Sequence, residues 1–396
     1  MRFALITDAF PPMRTSGAVQ LRDLSREFVR QGHEVVVLTP WDEGESAKTI
    51  PFDSGISVMR LKAPRTKDVN YVRRSLAELV TPFAMLAGLR GKAAELGRID
   101  GVIWYSPSIF FGPLVQALKR KCRCRGYLVL RDIFPEWAAD IGIMGRGLPF
   151  QIFRLIAAYQ YRVADTIGVQ TAGNLGFLKR WEAPTRRLEV LHNWLSPAPA
   201  EPRPIQLDIA ALAGRKIFVY AGNMGVAQGV EILIDLAERL RDRSDVGFIF
   251  VGRGSNAAAL RDDARRRGLG NVLFFDEIEP DQLSSLYRRC HAGLVSLDPR
   301  HRTHNIPGKF LSYMQAGLPV LAIVNRGNDL VGVIERNGVG RVVQEAKLSE
   351  LAIEAEALLS DIETDGIMVE RCRNLAATMF SSETAVRQIV SALRPL

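Results

Sequence analysis

The sequence predicts two doubly wound α/β domains, and three observations carry that prediction. Short apolar runs recur along the chain with helical segments between them, and the runs are continuous, as in strands covered on both faces of a parallel sheet. A proline-rich polar break, "SPAPAEPRPIQL" (Ser196–Leu207), interrupts the pattern. After the break the alternation of strand and helix starts again. At 396 residues the chain is also too long for one ordinary core.

In the first half, "RFALITD" (Arg2–Asp8) reads as a buried strand and "SGAVQLRDLSREFVRQG" as an amphipathic helix closed by Gly32. "EVVVLTP", "SVMRLKA", "GVIWYS", "GYLVLRD", "TIGVQT" and "LEVLHN" follow as strands. In the second half "KIFVYAG", "VGFIFVG", "NVLFFDE", "AGLVSLD", "PVLAIV" and "GRVVQ" are strands. The boundaries expected are 1–196, a linker over 197–214, a second domain over 215–363, and a helical segment over 364–396 that packs back on the first domain. Ligands in such sheets bind beyond the carboxyl ends of the strands, so the cleft between two such domains is the expected site.

Composition sets the class. With 47% hydrophobic and 24% charged residues this is a soluble globular chain. The apolar start is too short to span a bilayer and has no signal-peptide cleavage pattern, so a cytoplasmic protein is expected. Cys122 and Cys124 form a lone C-x-C, and Cys290 and Cys372 stand alone; neither a disulfide framework nor a zinc site is expected. No D-x-D, H-E-x-x-H or G-x-S-x-G occurs, which argues against a chelated divalent metal and against serine hydrolysis.

The most informative stretch is "NIPGKFLSYMQAGLPV" (Asn305–Val320), a helix with both ends marked before a strand. Asn305 suits its cap, Pro307 its first turn, and Gly317 with Pro319 its end. Gly308 lets a ligand approach the backbone, and the unpaired N–H groups there favour an anion. A helix dipole supplies only ~0.3–2 kcal/mol, so Lys309 and those N–H groups must do most of the binding. Lys309, Ser312 and Tyr313 share one face, with Phe310, Leu311 and Met314 toward the core. "RHRTH" (Arg300–His304) adds charge upstream.

Two glycine-rich loops accompany it. "YAGNMGVAQG" (Tyr220–Gly229) follows a strand and opens a helix, with Gly222, Gly225 and Gly229 freeing the backbone beside a phosphate and Asn223 and Gln228 between them. "VGRGSNAA" fits G-x-G-x-x-A through Gly252, Gly254 and Ala257, with Asp276 and Glu277 roughly twenty residues on, where a ribose-binding carboxylate is expected. A dinucleotide fingerprint normally follows the first strand of its domain, and Arg253 suits a mononucleotide diphosphate, so a nucleotide without nicotinamide is the expectation. In the first domain Asp8 ends the first strand, Ser16 and Gly17 open the next helix, and Arg131 and Asp132 end "LVLRD". N–H groups at Ser16–Gly17 are expected to face the Lys309 helix, and the Arg131–Asp132 pair to orient a sugar hydroxyl or move a proton.

These stretches together resemble the retaining, nucleotide-sugar-dependent glycosyltransferases of family 4. "SGAVQLRDLSREFVRQGHEVVVLT", "YAGNMGVAQGVEILIDLAERL", "FVGRG" and "PGKFLSYMQAGLPV" fall in the family's order over essentially the whole chain, and "RDIFPE" and "HNW" resemble the bacterial surface-polysaccharide branch of the L-fucosamine transferase type. The resemblance implies the GT-B fold, two Rossmann-like domains facing each other across a cleft. It implies transfer from a nucleotide sugar, foremost a UDP-sugar, to a lipid-linked or growing surface-polysaccharide or lipopolysaccharide acceptor, with no metal or other cofactor. Arg131, Asp132 and Lys309 then become the catalytic set. Ser16, Gly17, Gly222, Asn223, Gly225, Gln228, Gly252, Arg253, Gly254, Glu277, Gly308, Lys309 and Ser312 hold the donor, and Asp8, Arg73 and Arg74 the acceptor.

The chain departs from the family pattern. The two glutamates that members commonly carry eight residues apart are His304 and Ser312 here, and the usual Arg and Lys of the first C-terminal loop are Asn223 and Gln228. The nucleotide grip is therefore redistributed or weak, which keeps a nucleotide-sugar epimerase of this fold and a weakened nucleotide-binding homologue as alternatives. A net charge of +9 and a pI near 9.6 indicate an anionic partner. RNA-recognition motifs that interleave basic and aromatic residues are absent, so nucleic acid is not expected. The stretch Arg60–Ala94 mixes basic residues with apolar helical faces, and each cation near an anionic surface contributes roughly 1 kcal/mol, enough for peripheral attachment to the inner face of a plasma membrane.

Overall fold

The computed structural model describes residues 1–394 apart from 14, 43–47, 54, 67–68, 198–202 and 346. Part of the expected linker and Lys67 and Asp68 of the basic stretch thus lie outside the described residues. The chain divides into two compact units, one formed by Met1–Ser196 with Ser382–Leu396 and the other by Pro197–Ser381.

The first unit is built on eight strands: β1 (Arg2–Ile6), β2 (Glu34–Trp41), β3 (Lys48–Asp53), β4 (Ile56–Lys62), β5 (Gly101–Tyr105), β6 (Arg125–Leu130), β7 (Thr166–Val169) and β8 (Arg187–Val190). Their order is β3-β4-β2-β1-β5-β6-β7-β8, with every pair parallel except β3 on β4. The pattern of apolar runs did not predict β3, because "KTIPFD" carries a proline and charged ends. Both are tolerated at the open edge of a sheet. Three helices, Tyr71–Arg90, Gly112–Cys122 and Leu148–Val163, cover one face. They place Met85, Leu89, Leu114, Leu118, Ala157 and Tyr161 in one core with Ala4, Val102 and Leu128 of the strands. Helix Ser16–Arg30 and the last helix, Ser382–Leu393, cover the other face through Leu21, Leu24, Phe28, Val386 and Ile389.

The segment 364–396 therefore does not return to the first unit as a whole. Met368–Met379 stays in the second unit, packed on helix Gly308–Ala316, and the division falls just before Ser382.

The second unit holds β9 (Lys216–Ala221), β10 (Val246–Val251), β11 (Val272–Phe275), β12 (Ala292–Ser296), β13 (Val320–Val324) and β14 (Gly340–Gln344). The order is β11-β10-β9-β12-β13-β14, all parallel. Stacked rings, Phe218 on Phe248 at 5.3 Å and Phe250 on Phe274 at 5.0 Å, tie three neighbouring strands together.

The loops leaving β9 and β10 lie backbone against backbone. Met224 N–H donates to Arg253 O at 2.8 Å, and Asn256 N–H to Met224 O at 2.9 Å. A Cβ on Gly252, whose φ is +142°, would stand 2.0 Å from Gly222 O, and one on Gly254 would stand 2.4 Å from Met224 O. Both glycines of the G-x-G-x-x-A pattern are thus required by the neighbouring loop, with or without a ligand. We predict that Gly252→Ala destabilises the chain by about 3 kcal/mol or more. Thermal melting checks this, and an unchanged melting temperature would show that the two loops separate easily.

Candidate functional site

Helix Gly308–Ala316 starts one residue later than the sequence suggests. Pro307 is its N-cap, with extended ψ of 144°, and no side chain caps it; Asn305 lies outside. Its first N–H groups therefore have no side-chain acceptor, the condition under which a helix start attracts an anion. Phe310, Leu311 and Met314 are buried as expected, and Tyr313 joins them instead of sharing the partly buried face of Lys309. Tyr313 OH accepts from Ala221 N–H and donates to Val219 O, both at 3.0 Å, which binds the helix to the end of β9. A Cβ on Gly293 would sit 2.4 Å from the Tyr313 ring, so β12 makes room for that ring.

This anchoring brings Lys309 over β9. Its Nζ lies 3.8 Å from the centre of the Tyr220 ring, and its Cε 3.4 Å from where Gly222 would carry a Cβ. Among the described residues no carboxylate pairs with it. Burial pushes its ammonium down to about 7 from an ordinary 10.5. A cation beside open N–H groups, with only a ring to compensate it, is a site prepared for an anion. Tyr220 was not singled out in the sequence, although its place just before the glycine loop is the signal that could have found it.

The loop after β9 is held by its own neutral side chains. Gln228 Oε1 accepts from Gly225 N–H at 3.1 Å and from Asn223 Nδ2 at 3.0 Å. The two residues that replace the family's cations thus satisfy each other. Ser312 Oγ donates to Gly308 O at 3.3 Å, and His304 Nδ1 accepts from Asp329 N–H at 3.2 Å. Arg253 is paired with Glu277 at 3.2 Å, and Asp276 with Arg261 at 3.0 Å. Arg300 grips Asp298 with both Nε and Nη2, holding that carboxyl below its ordinary range.

In the first unit the expected Arg131–Asp132 pair separates into two roles. Arg131 is buried, donates from Nη1 to Leu191 O and from Nη2 to His192 O, and stacks 4.7 Å from the Trp194 ring. Trp194 in turn donates from Nε1 to Gln20 O at 2.7 Å. The guanidinium therefore joins "RDIFPE" to "HNW" inside the unit, and the expectation that it meets a sugar is corrected: its fork is engaged by backbone carbonyls. Asp132 is partly buried, and burial lifts its carboxyl to about 6 despite the neighbouring arginine.

Tyr105, at the end of β5, is buried, and its hydroxyl donates to Gln20 Oε1 at 3.3 Å. Helix Ser16–Arg30 is capped by Thr15, whose Oγ1 accepts from Ala18 N–H at 3.3 Å; Ser16 is its first residue and not its cap. Gly17 lets the helix approach Tyr105, where a Cβ would stand 3.3 Å from the ring. Arg73 and Arg74 are exposed at the start of helix Tyr71–Arg90, and Arg74 pairs with Glu78 at 2.9 Å. Burial raises the Glu78 carboxyl above its ordinary range although Arg74 is bonded to it. Among the described residues no group of three His, Cys, Asp or Glu gathers as a metal site.

Residues 16–194 match the model of a glycosyl transferase 4-like domain, and residues 215–361 that of the glycosyl transferases group 1. The chain belongs to this glycosyltransferase family. Its relatives include the probable glycosyltransferase WbjE of Pseudomonas aeruginosa, 22% identical over 77% of this chain and 76% of that protein. The putative colanic acid biosynthesis glycosyl transferase WcaI of Escherichia coli K12 is 24% identical over 92% of each chain. Among solved structures, a sucrose-phosphate synthase from Thermosynechococcus elongatus superposes with a TM-score of 0.78 at 15% identity, covering 98% of this chain and 97% of that one. Anabaena HepE in complex with UDP and glucose gives 0.67 at 15% identity, covering 99% and 98%. These superpositions establish the GT-B fold.

In this glycosyltransferase the Lys309 ammonium costs stability while no anion is bound. The folded value lies below the unfolded one, so the folded chain holds fewer protons between about 7 and 10.5, and stability rises as pH rises through that window. Below about 7 the penalty is present in full. Lys309→Met is therefore expected to melt above the wild type near pH 6, by on the order of 1 kcal/mol given the partial exposure of the side chain, with the gain fading toward pH ~10. Melting curves across pH check the sign. For Arg131, Arg131→Lys is expected to lose about 2–4 kcal/mol, since an ammonium cannot reproduce the fork; chemical denaturation measures this.

Proposed function

We propose that this glycosyltransferase moves a sugar from a nucleotide sugar, foremost a UDP-sugar, to a lipid-linked or growing surface-polysaccharide acceptor. The observation that carries the donor side is the uncapped start of helix Gly308–Ala316 with the uncompensated Lys309 ammonium beside Gly222. The colanic acid in the name of WcaI supports the glycan class, and the UDP and glucose held by HepE support the choice of donor.

In the proposed reaction the diphosphate lies at the Gly308–Lys309 N–H groups and ammonium, which stabilise the charge that develops as the bond from C1 to phosphate breaks. Retention keeps the leaving phosphate on the face that the acceptor attacks. The acceptor hydroxyl forms the new bond to C1, and its proton passes to the leaving phosphate oxygen, releasing the nucleoside diphosphate. Asp132, as carboxylate, holds the acceptor hydroxyl by a hydrogen bond. Glu277 and Ser312 are the nearest substitutes for the missing ribose-binding glutamate, each at the cost of a present partner, Arg253 or Gly308 O.

Calorimetric titration tests the donor reading, with UDP against GDP and NAD. UDP is expected to bind, and Lys309→Ala to weaken it roughly 100-fold, equivalent to ~2.7 kcal/mol. Binding of NAD instead, or an unaltered Lys309→Ala variant, would remove the assignment. With UDP-glucose, whose diphosphate does not titrate near neutrality, affinity is expected to fall as pH rises through about 7, where Lys309 loses its proton. An affinity flat across that range would show that the lysine is not the anion's partner.

A further inference from the structure

The helix layer of the first unit has an outer side that the transfer chemistry does not use. Helix Tyr71–Arg90 buries Ala77, Thr81, Met85 and Leu89 and turns Leu76, Leu79, Val80 and Phe83 to solvent, with Leu76 60% and Phe83 59% exposed. Those four share one stripe at helical spacing, opposite the buried side. From Ser75 to Leu89 the sole charge is Glu78, which is largely covered and paired with Arg74. The stripe begins beside Arg73 and ends at Arg90, both exposed.

Helix Leu148–Val163 repeats the arrangement. Phe150, Ala157 and Tyr161 point inward, while Leu148, Ile152 and Leu155 are exposed, Leu148 by 73% and Leu155 by 71%. Exposed Ile143 precedes the helix, and Arg162 closes it. Helix Gly112–Cys122 lies between the two and carries exposed Arg120 and Lys121 near its end. Each of the three helices lies between two mutually parallel strands of the sheet, β4 and β5, β5 and β6, and β6 and β7, so they run in the same direction. Their ends thus set Arg90, Arg120, Lys121 and Arg162 along one edge, with apolar stripes between that edge and Arg73, Arg74 and Arg146. Elsewhere among the described residues exposed large apolar side chains stand singly or in pairs.

We propose that this layer rests on an anionic lipid bilayer, its two apolar stripes at the boundary of headgroups and acyl chains and its cations on the acidic headgroups. Apolar side chains facing outward in parallel rows, bounded by arginine and lysine, match such a surface in both chemistry and sign. A second copy fits less well. Neither stripe carries an exposed acid, so antiparallel pairing sets Arg73 against the partner's cationic edge and parallel pairing sets like on like. Among the described residues no helix is long and apolar enough to cross a membrane, so attachment is at the surface. The notion extends the proposed function to where the acceptor is met, and it does not depend on the identity of the donor.

Co-sedimentation with phosphatidylcholine vesicles, with and without about a third phosphatidylglycerol, tests it on the full chain. The wild type is expected to partition onto the anionic vesicles at least roughly tenfold better than onto neutral ones. Phe83→Ser with Leu155→Ser, and separately Arg90→Ser with Arg162→Ser, are each expected to lose about tenfold of that partitioning. All four side chains are exposed, so circular dichroism melts should be unchanged and UDP titration unaffected, which separates failure here from failure of the donor reading. Equal binding to neutral vesicles, or full binding by the serine variants, would overturn the proposal. So would a wild-type dimer in light scattering that Phe83→Ser with Leu155→Ser turns into monomer without vesicle binding, because the stripes would then belong to a second copy.

Discussion

The place of the Lys309 helix in this protein depends on one phenol. Tyr313 sits in the buried face of helix Gly308–Ala316 and uses both hydrogen-bonding capacities of its hydroxyl on the last residues of β9, Val219 and Ala221. Tyr287 meets its ring edge-on at 5.0 Å, and β12 is glycine at Gly293, where a side chain would collide. A helix pinned this way cannot slide or rotate without losing two buried hydrogen bonds. Lys309, four residues back on the helix, therefore stays over Tyr220 and beside Gly222, and the uncapped N–H groups stay at the carboxyl end of the sheet. The proposed anion site is a consequence of where the tyrosine is bonded.

Two charges are held in places where water would stabilise them better. Lys309 is lowered to about 7 and Asp132 raised to about 6, each mainly by burial and not by an opposing partner. Structural charges in this chain look different. Arg243 lies between Asp245 and Glu356, and Arg267 among Asp235, Glu238 and Asp263, with carboxylates supplying the compensation. Arg131 lies between the two classes, lowered by burial yet held by the carbonyls of Leu191 and His192, so burial marks Lys309 and Asp132 as candidates only together with their place at the ends of strands. The missing family cations fit the same account. With Asn223 and Gln228 bonded to each other, the loop after β9 keeps its shape without charge, and Lys309 is left as the cation facing it.

Arg131 shows how a motif can mark architecture. "RDIFPE" and "HNW" are more than fifty residues apart in sequence, yet they meet because the guanidinium of one reaches the carbonyls and indole of the other at the ends of β6 and β8. The neighbouring Asp132 is set by that arrangement, and its carboxyl is left in a low-dielectric position from which it can hold a hydroxyl.

The sequence by itself determined the strand order along the chain, the break between the halves, the family and the glycine-rich loops, because each is written in local periodicity and in residues with special backbone freedom. It also singled out Lys309 as the partner proposed for an anion, since a lysine at a helix start has no core role. What it could not reveal were contacts made across the sheet. Tyr313 looks amphipathic on a helical wheel, and only the packing of the helix on β9 decides that its hydroxyl is buried and bonded. Arg131 beside Asp132 reads as a catalytic pair until β8 arrives with its carbonyls. That Gly252 and Gly254 are also required by the loop after β9 is visible only once the two loops lie against each other. The division of the C-terminal segment near Ser382 has the same origin. Helix Met368–Met379 and helix Ser382–Leu393 are both amphipathic, and which sheet each covers is chosen by complementary surfaces far away in sequence.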